Sequence, residues 1–166
     1  RKIKLSTPRF LVTWTLQGPW VFLTAGAALA AIMTPNTAPL GTVFYVGAAI
    51  WVVGFAVEVI ADNQKTAFKA DPANKNKFIT TGIWARAQHP NYFGEILLWA
   101  GVAVMALPSL SGSAMIFLIS PVFVAVLLTR ISGVPLLRKT AGARWGHDPE
   151  YQAYLKNTPL IIPRVF

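Results

Sequence analysis

The chain has 166 residues, of which 54% are hydrophobic and only 13% are charged. Soluble domains carry about 25% charged residues, so this composition is typical of a membrane protein. The net charge of +9 would ordinarily suggest nucleic-acid binding, but every charge falls in three blocks, at residues 1–9, 58–95 and 130–164. The chain has no cysteine, which excludes disulfides and thiolate chemistry. Its two histidines are 58 residues apart and make a poor metal site.

Two charge-free stretches, residues 10–57 and 96–129, separate those blocks. A membrane-spanning helix needs about 20 apolar residues, so each stretch is too long for one span and suits a helical hairpin. We therefore predict an all-α fold, a polytopic membrane helical bundle of about four transmembrane helices in a single domain covering residues 1–166. The spans are expected at about 10–33, 40–61, 91–108 and 112–130, with a loop at 62–90 and a tail at 131–166.

All lysine and arginine residues then lie on one side of the membrane. The positive-inside rule makes that side cytoplasmic and places both termini there, in what we expect to be a bacterial inner membrane. Contact with anionic membrane lipid accounts for the basic excess, and no nucleic-acid partner is expected.

The second predicted span carries three glycines, Gly41, Gly47 and Gly54, which are interpreted as helix-packing positions. The span ends in a polar stretch in which Glu58 and Asp62 lie one helical turn apart. This end is either a water-facing helix end or a set of polar groups that face a cofactor.

The third predicted span begins within the stretch His89-Pro90-Asn91-Tyr92-Phe93-Gly94-Glu95. Pro90 has a fixed φ and no backbone N–H, so it fits the first turn of a helix, with His89 just outside that turn. Asn91 and Glu95 are four residues apart and share one helix face. An amide and a carboxylate thus lie at the edge of the hydrocarbon layer, where polar side chains are functional candidates.

The fourth predicted span ends at Arg130, which either snorkels to the surface or opposes acidic groups or a phosphate. In the tail, Asp148 is predicted to cap a short helix that has Pro149 at its first position. Tyr151 and Tyr154 lie on one face of that helix. We expect the tail to form an amphipathic lid on the cytoplasmic side.

One face of the predicted bundle collects cations that can bind phosphate, together with carboxylates and amides that can hold ribose hydroxyls or a carboxamide. Neither a Gly-x-Gly-x-x-Gly nor a Gly-Lys-Ser motif is present, so neither standard nucleotide fold applies. A site that opens to the cytoplasm and borders lipid suits a water-soluble cofactor that meets an apolar substrate. The residues alone do not identify the reaction.

Three motifs carry a resemblance to a known family: the run from His89 to Glu95, the segment Ala61-Asp62-Asn63-Gln64-Lys65, and Trp145-Gly146-x-Asp148-Pro149-Glu150-Tyr151-x-x-Tyr154. With these motifs the chain resembles a bacterial uncharacterised membrane family related to steroid 5-alpha-reductases. It is similar, more distantly, to the sterol C14 and delta-7 reductases and to isoprenylcysteine carboxyl methyltransferase. The resemblance covers about residues 10–163.

The resemblance implies a membrane-embedded reductase that uses NADPH to reduce a C=C bond in a steroid-like or other lipid substrate. The alternatives are an S-adenosylmethionine-dependent methyltransferase of a lipidated or apolar substrate, and a non-catalytic membrane scaffold. Glu95 favours the reductase, since it matches the reductase pattern Asn-x-x-Gly-Glu. The cofactor-binding residues that the resemblance and the clustering together nominate are Asp62, Lys69, Arg86, His89, Asn91, Glu95, Arg130, Tyr151 and Tyr154.

The chain departs from the family pattern in three ways. Gln88 stands where the family usually has arginine, and Arg138 stands where the family often has an acidic residue. Family members look about seven spans long, so this chain is expected to lack the N-terminal spans. In the 5-alpha-reductases those spans carry the groups that hold and protonate the enone carbonyl, and the sequence therefore names no general acid.

Overall fold

The computed structural model describes residues 7–35 and 38–164, apart from the side chains of Arg9 and Thr13. Within that part of the chain the regular structure is entirely helical. Four helical stretches are long and apolar enough to cross a membrane, which confirms the predicted all-α fold with four spans. These stretches are Phe10–Met33, Thr42–Ala70, Pro90–Ser109 and Gly112–Trp145.

The last of these stretches is not one continuous α-helix. It begins with a 3-10 segment at Gly112–Ile119, continues as an α-helix and ends in a π-helical turn at Leu127–Ile131. A break at Ser132 and Gly133 separates that turn from the next helix. The α-helices are α1 at Thr7–Met33, α2 at Thr42–Ala70, α3 at Pro90–Ala106, α4 at Ser120–Val126, α5 at Val134–Trp145 and α6 at Pro149–Asn157.

Helix α2 is longer than the predicted span and continues past residue 61 to Ala70. Its additional turns carry the polar groups of residues 62–69, which the sequence had assigned to a loop. Two shorter 3-10 turns, Pro72–Asn74 and Gly82–Ala85, connect α2 to α3. The polar end of α2 is therefore a rigid helix beside the start of α3.

Two helix starts have the predicted local chemistry. His89 lies just outside the helix, with φ −137° and ψ 67°, and Pro90 is the first residue of α3, where a missing N–H leaves no hydrogen bond unmade. At α6, the Asp148 carboxylate accepts a hydrogen bond of 2.9 Å from the backbone N–H of Glu150, and Pro149 occupies the first helical position.

Helices α2 and α3 form the largest contact in the described fold, and glycines make it close. A β-carbon on Gly47 would lie 2.6 Å from the backbone nitrogen of Met105, and one on Gly101 would lie 2.6 Å from that of Trp51. Gly54 and Gly94 meet the facing backbone in the same way. The packing interpretation is thus confirmed for Gly47 and Gly54, whereas a β-carbon on Gly41 would only touch a carbonyl at 3.9 Å.

Helix α1 packs on α3 and on the fourth span. The small core there consists of Ala27, Ala103, Ala106 and Leu110. Alanine side chains allow the helices to approach closely, as is common between membrane helices. Asn91 and Glu95, which the sequence nominated for the site, lie at the other end of α3.

The tail after α6 runs along the segment that precedes α3. The backbone N–H of Gln88 donates to the carbonyl of Pro159 at 2.8 Å, and that of His89 donates to Leu160 at 3.1 Å. In return the N–H of Arg164 donates to the carbonyl of Arg86 at 3.1 Å. These bonds fix the backbone immediately before the third span.

Candidate functional site

A cavity of about 260 Å³ lies where α2 ends and α3 begins. Its walls come from the last turns of α2, the connection before α3, and helices α5 and α6. No carboxylate is among the described residues that line it. Five cationic side chains do line it, and they are Lys65, Lys69, Lys77, Arg138 and Arg144.

Aromatic rings form one wall of this cavity. The ring of Phe78 lies 5.0 Å from that of Tyr151 and 5.8 Å from that of Trp145, both in edge-on arrangements. The Tyr154 hydroxyl donates a 2.7 Å hydrogen bond to the carbonyl of Trp84. Burial raises the pKa of Tyr154 to about 12, so this phenol keeps its proton and remains a donor. A wall of this kind offers stacking surface to a flat ring.

His89 lines the same cavity and stacks on Tyr92, with ring centroids 5.2 Å apart and an interplanar angle of 20°. Burial, together with the nearby positive charges of Lys65 and Arg138, lowers the pKa of His89 to about 4. The imidazole is therefore neutral at physiological pH and presents one donor and one acceptor nitrogen.

A second group of polar side chains lies next to the cavity, between α2 and α3. The Asn91 amide nitrogen donates to the Asp62 carboxylate at 3.2 Å. The Asn91 carbonyl oxygen is buried and has no partner among the described residues. Because buried acceptors are normally satisfied, this oxygen is suited to an N–H or O–H group of a bound molecule.

Two further carboxylates belong to this polar cluster. A β-carbon on Gly94 would lie 2.6 Å from the backbone nitrogen of Glu58, so α3 touches α2 at that residue. Glu95 follows directly, and Glu58 and Asp62 are its electrostatic neighbours. The close glycine contact thus positions three carboxylates and one amide together.

The structure brings seven of the nine nominated residues to these two neighbouring places. Lys69, His89, Tyr151 and Tyr154 line the cavity, and Asp62, Asn91 and Glu95 belong to the polar cluster. Arg86 and Arg130 lie outside both and are exposed. Arg86 directly follows the 3-10 turn at Gly82–Ala85. The side chain of that turn that packs inward is Trp84, whose indole N–H donates to the carbonyl of Ala61 at 2.9 Å.

Some residues that line the cavity were not nominated from the sequence. They include Lys77, Phe78, Arg138, Arg144 and Trp145. Trp145 was visible as part of a motif, and Arg138 as a departure from the family pattern. Lys77 and Phe78 gave no signal, because the connection that carries them has no helical periodicity.

The fold and the site together define an integral membrane protein with four spans and a basic, aromatic cavity at one end of its bundle. A profile described as "Protein of unknown function (DUF1295)" matches residues 1–158, and the chain belongs to this family. No solved structure matches the chain significantly.

Curated relatives place the family near the steroid reductases, as the sequence motifs predicted. The chain is 40% identical to "Steroid 5-alpha-reductase DET2" of Gossypium hirsutum over 62 residues, 37% of this chain and 24% of that protein. It is 27% identical to "3-oxo-5-alpha-steroid 4-dehydrogenase 1" of Rattus norvegicus over 122 residues, 74% of this chain and 42% of that protein. It is also 27% identical to "Probable O-methyltransferase ustE" of Ustilaginoidea virens over 84 residues, 51% of this chain and 30% of that protein. The chain spans less than half the length of these relatives.

Proposed function

We propose that this chain is the cofactor-binding part of a membrane-embedded, NADPH-dependent reductase that acts on a C=C bond of a steroid-like or other lipid substrate. The observation that supports this most is the cavity, which is lined by five cations and by no described carboxylate. It adjoins a polar cluster at the start of the third span, where a soluble cofactor and an apolar substrate can meet.

The charge of the cavity favours NADPH over S-adenosylmethionine. NADPH carries a diphosphate and a 2′-phosphate, and arginine and lysine bind phosphate through charge-assisted hydrogen bonds. S-adenosylmethionine has no phosphate and carries a sulfonium cation, which five cations would repel.

The size of the cavity suggests which end of the cofactor it holds. Its volume of about 260 Å³ is just below the range of about 300–1,000 Å³ common for small-molecule sites. It suits the phosphate-bearing end, with the rings of Phe78, Trp145 and Tyr151 beside the base. The other end would extend past His89 to the polar cluster.

In this proposal the chain's own residues bind the cofactor and orient it. Lys69, Arg138 and Arg144 hold phosphates, and the carbonyl oxygen of Asn91 accepts a hydrogen bond from a carboxamide or a hydroxyl. When bound, NADPH would supply a hydride to the β-carbon of an enone. The chain would align the two reactants and exclude water.

The proposed orientation follows from the same cations. The positive-inside rule places the basic end of the bundle in the cytoplasm, where NADPH is available. The lipid-facing surface of α2 near Glu58 is apolar, with Phe55, Val59 and Ile60 exposed. An apolar substrate would therefore reach the polar cluster from the bilayer.

A methyltransferase is the second candidate, and the similarity to an O-methyltransferase favours it. The two candidates differ in their cofactor, so a binding measurement separates them. The detergent-purified chain is melted with NADPH, NADH or S-adenosylmethionine, all at the same concentration. A ligand that is present at about 100 times its dissociation constant stabilises the folded state by about 2.7 kcal/mol, whereas a molecule that does not bind leaves the melting temperature unchanged.

Two adjacent residues provide a matched pair of variants. Arg138 lines the cavity and Lys139 does not, so Arg138→Gln and Lys139→Gln remove the same charge at neighbouring positions. We expect Arg138→Gln to weaken NADPH binding by about 10-fold or more, since hydrogen bonds to charged groups contribute about 1.5–3 kcal/mol. Lys139→Gln is expected to stay within about 2-fold of wild type. If S-adenosylmethionine alone stabilises the chain, the methyltransferase proposal replaces the reductase proposal. If neither cofactor stabilises it, a non-catalytic scaffold is the remaining function.

A further inference from the structure

Two arginines and one isoleucine form an exposed patch outside the cavity. The backbone N–H of Arg164 donates to the carbonyl of Arg86 at 3.1 Å, which places the two residues side by side. Both side chains are exposed. Ile162 lies two residues before Arg164 in the chain and is 71% exposed.

The position of Arg86 in the chain puts this patch where lipid head groups are expected. Arg86 lies just before Pro90, the first residue of the third span. The hydrogen bond from His89 to Leu160 fixes the tail at the same height. An aliphatic side chain and arginines at that depth match the interface between hydrocarbon and phosphate.

The two segments that carry the patch contain basic residues and no acidic ones. Neither the connection at residues 72–89 nor the tail at residues 151–164 contains a carboxylate. The guanidinium groups of Arg86 and Arg164 therefore face no acidic residue of their own segments. Arginine binds phosphate in a bidentate manner, and a neighbouring aliphatic side chain adds contact with an acyl chain.

We propose that Arg86, Ile162 and Arg164 form a binding site for the head group of an anionic phospholipid of the surrounding bilayer. The two arginines hold the phosphate and Ile162 lies against the upper part of the acyl chains. Because the tail is tied to the residues that lead into His89, lipid bound here also holds the edge of the cavity. This site is separate from the proposed cofactor site.

The test measures lipid affinity with the full chain in detergent, by native mass spectrometry during titration with phosphatidylglycerol or phosphatidylcholine. Wild type is expected to prefer phosphatidylglycerol. The variant Arg86→Gln/Arg164→Gln is expected to lose about 5-fold in affinity for each arginine removed. The control Lys75→Gln/Lys139→Gln removes the same charge from two other exposed positions and is expected to keep the preference.

Further measurements separate the possible outcomes. NADPH binding should be unchanged in the arginine double variant, and a loss there with lipid binding intact would assign Arg86 to the cofactor instead. Ile162→Ser, which keeps both arginines, should weaken the binding of both lipids by the same factor. High salt should reduce the preference of wild type for phosphatidylglycerol. The proposal is overturned if wild type binds both lipids equally, if the lysine control loses as much as the arginine variant, or if inorganic phosphate displaces phosphatidylglycerol at concentrations comparable to the lipid.

Discussion

Gly94 tests whether close contact between α2 and α3 builds the polar cluster. A β-carbon at this position would lie 2.6 Å from the backbone nitrogen of Glu58 and 2.7 Å from the carbonyl oxygen of Gly54. Both are backbone atoms of a helix, so neither can rotate away. The variant Gly94→Ala must therefore move one helix away from the other.

The size of the effect follows from these distances. Non-bonded carbon atoms rest about 3.5–4.0 Å apart, so the helices must separate locally by about 1 Å. Overpacking of this kind typically costs about 1–3 kcal/mol. The Asn91–Asp62 hydrogen bond, at 3.2 Å, would lengthen beyond the limit at which such bonds are effective. We therefore expect Gly94→Ala to lower the melting temperature and to weaken NADPH binding by about 10-fold, which corresponds to about 1.4 kcal/mol.

Two other glycines separate stability from binding. A β-carbon on Gly101 would lie 2.6 Å from the backbone nitrogen of Trp51, and Gly101 is farther along α3 from the polar cluster than Gly94 is. This gives the variant Gly101→Ala. It should destabilise the fold about as much as Gly94→Ala and leave NADPH affinity unchanged. Gly142 lies in α5, and an added β-carbon there would have no neighbouring side chain or element within 4 Å. Gly142→Ala should therefore leave the free energy of unfolding unchanged or raise it by about 0.4–1 kcal/mol.

Thermal unfolding in detergent and a tryptophan-fluorescence titration with NADPH measure the two quantities. Equal melting temperatures for Gly94→Ala and wild type would contradict a tight contact between α2 and α3. Equal weakening of NADPH binding in Gly94→Ala and Gly101→Ala would contradict the role given to the polar cluster, because the loss would then reflect general loosening of the bundle.

Two further predictions concern the edge of the cavity. The folded-state pKa of His89 is lowered to about 4, below its unfolded value near 6.5. Between these two pH values the unfolded chain binds more protons than the folded chain. The free energy of unfolding therefore falls as the pH drops from about 6.5 to 4. The difference in melting temperature between wild type and His89→Gln should change across that window and be constant above pH 7; a constant difference throughout would contradict a buried neutral imidazole. Gln88→Leu should destabilise the chain by about 2 kcal/mol, because it removes the donor from a buried carbonyl at Thr158 and from a partly buried one at Leu155. Gln88→Arg, which can still donate to both, is the control, and equal melting temperatures for wild type and Gln88→Leu would refute this role.

The fold was predictable because lipid imposes simple rules on sequence. Charge-free stretches of hairpin length gave the four spans, since charges are strongly unfavourable inside a bilayer. The spacing of the glycines is also visible in the sequence, with Gly47 and Gly54 seven residues apart on α2 and Gly94 and Gly101 seven apart on α3. Seven residues are about two helical turns, so each pair lies on one face.

The cavity was less predictable because part of its lining comes from the irregular connection between α2 and α3. In the connection before α3, the side chain of Arg86 is exposed while Gln88, two residues later, is buried. No helical or strand period fixes these directions. They depend on hydrogen bonds to the distant tail, such as that from Gln88 to Pro159, and the sequence does not show which segments pair in this way.

Two of the three departures from the pattern that the resemblance implies, Gln88 and Arg138, lie in one place. Gln88 and Arg138 both line the cavity, although 50 positions separate them along the chain. Where the family usually has arginine, Gln88 uses its amide nitrogen to donate to the tail carbonyls of Leu155 and Thr158 at 3.0 and 2.7 Å. At position 138, where the resemblance implies a carboxylate, Arg138 adds a cation to the lining of the cavity. Relative to the pattern that the resemblance implies, the cavity loses one positive charge at Gln88 and exchanges a negative charge for a positive one at Arg138. The two changes together make the lining more positive, which supports the anionic ligand proposed for this cavity.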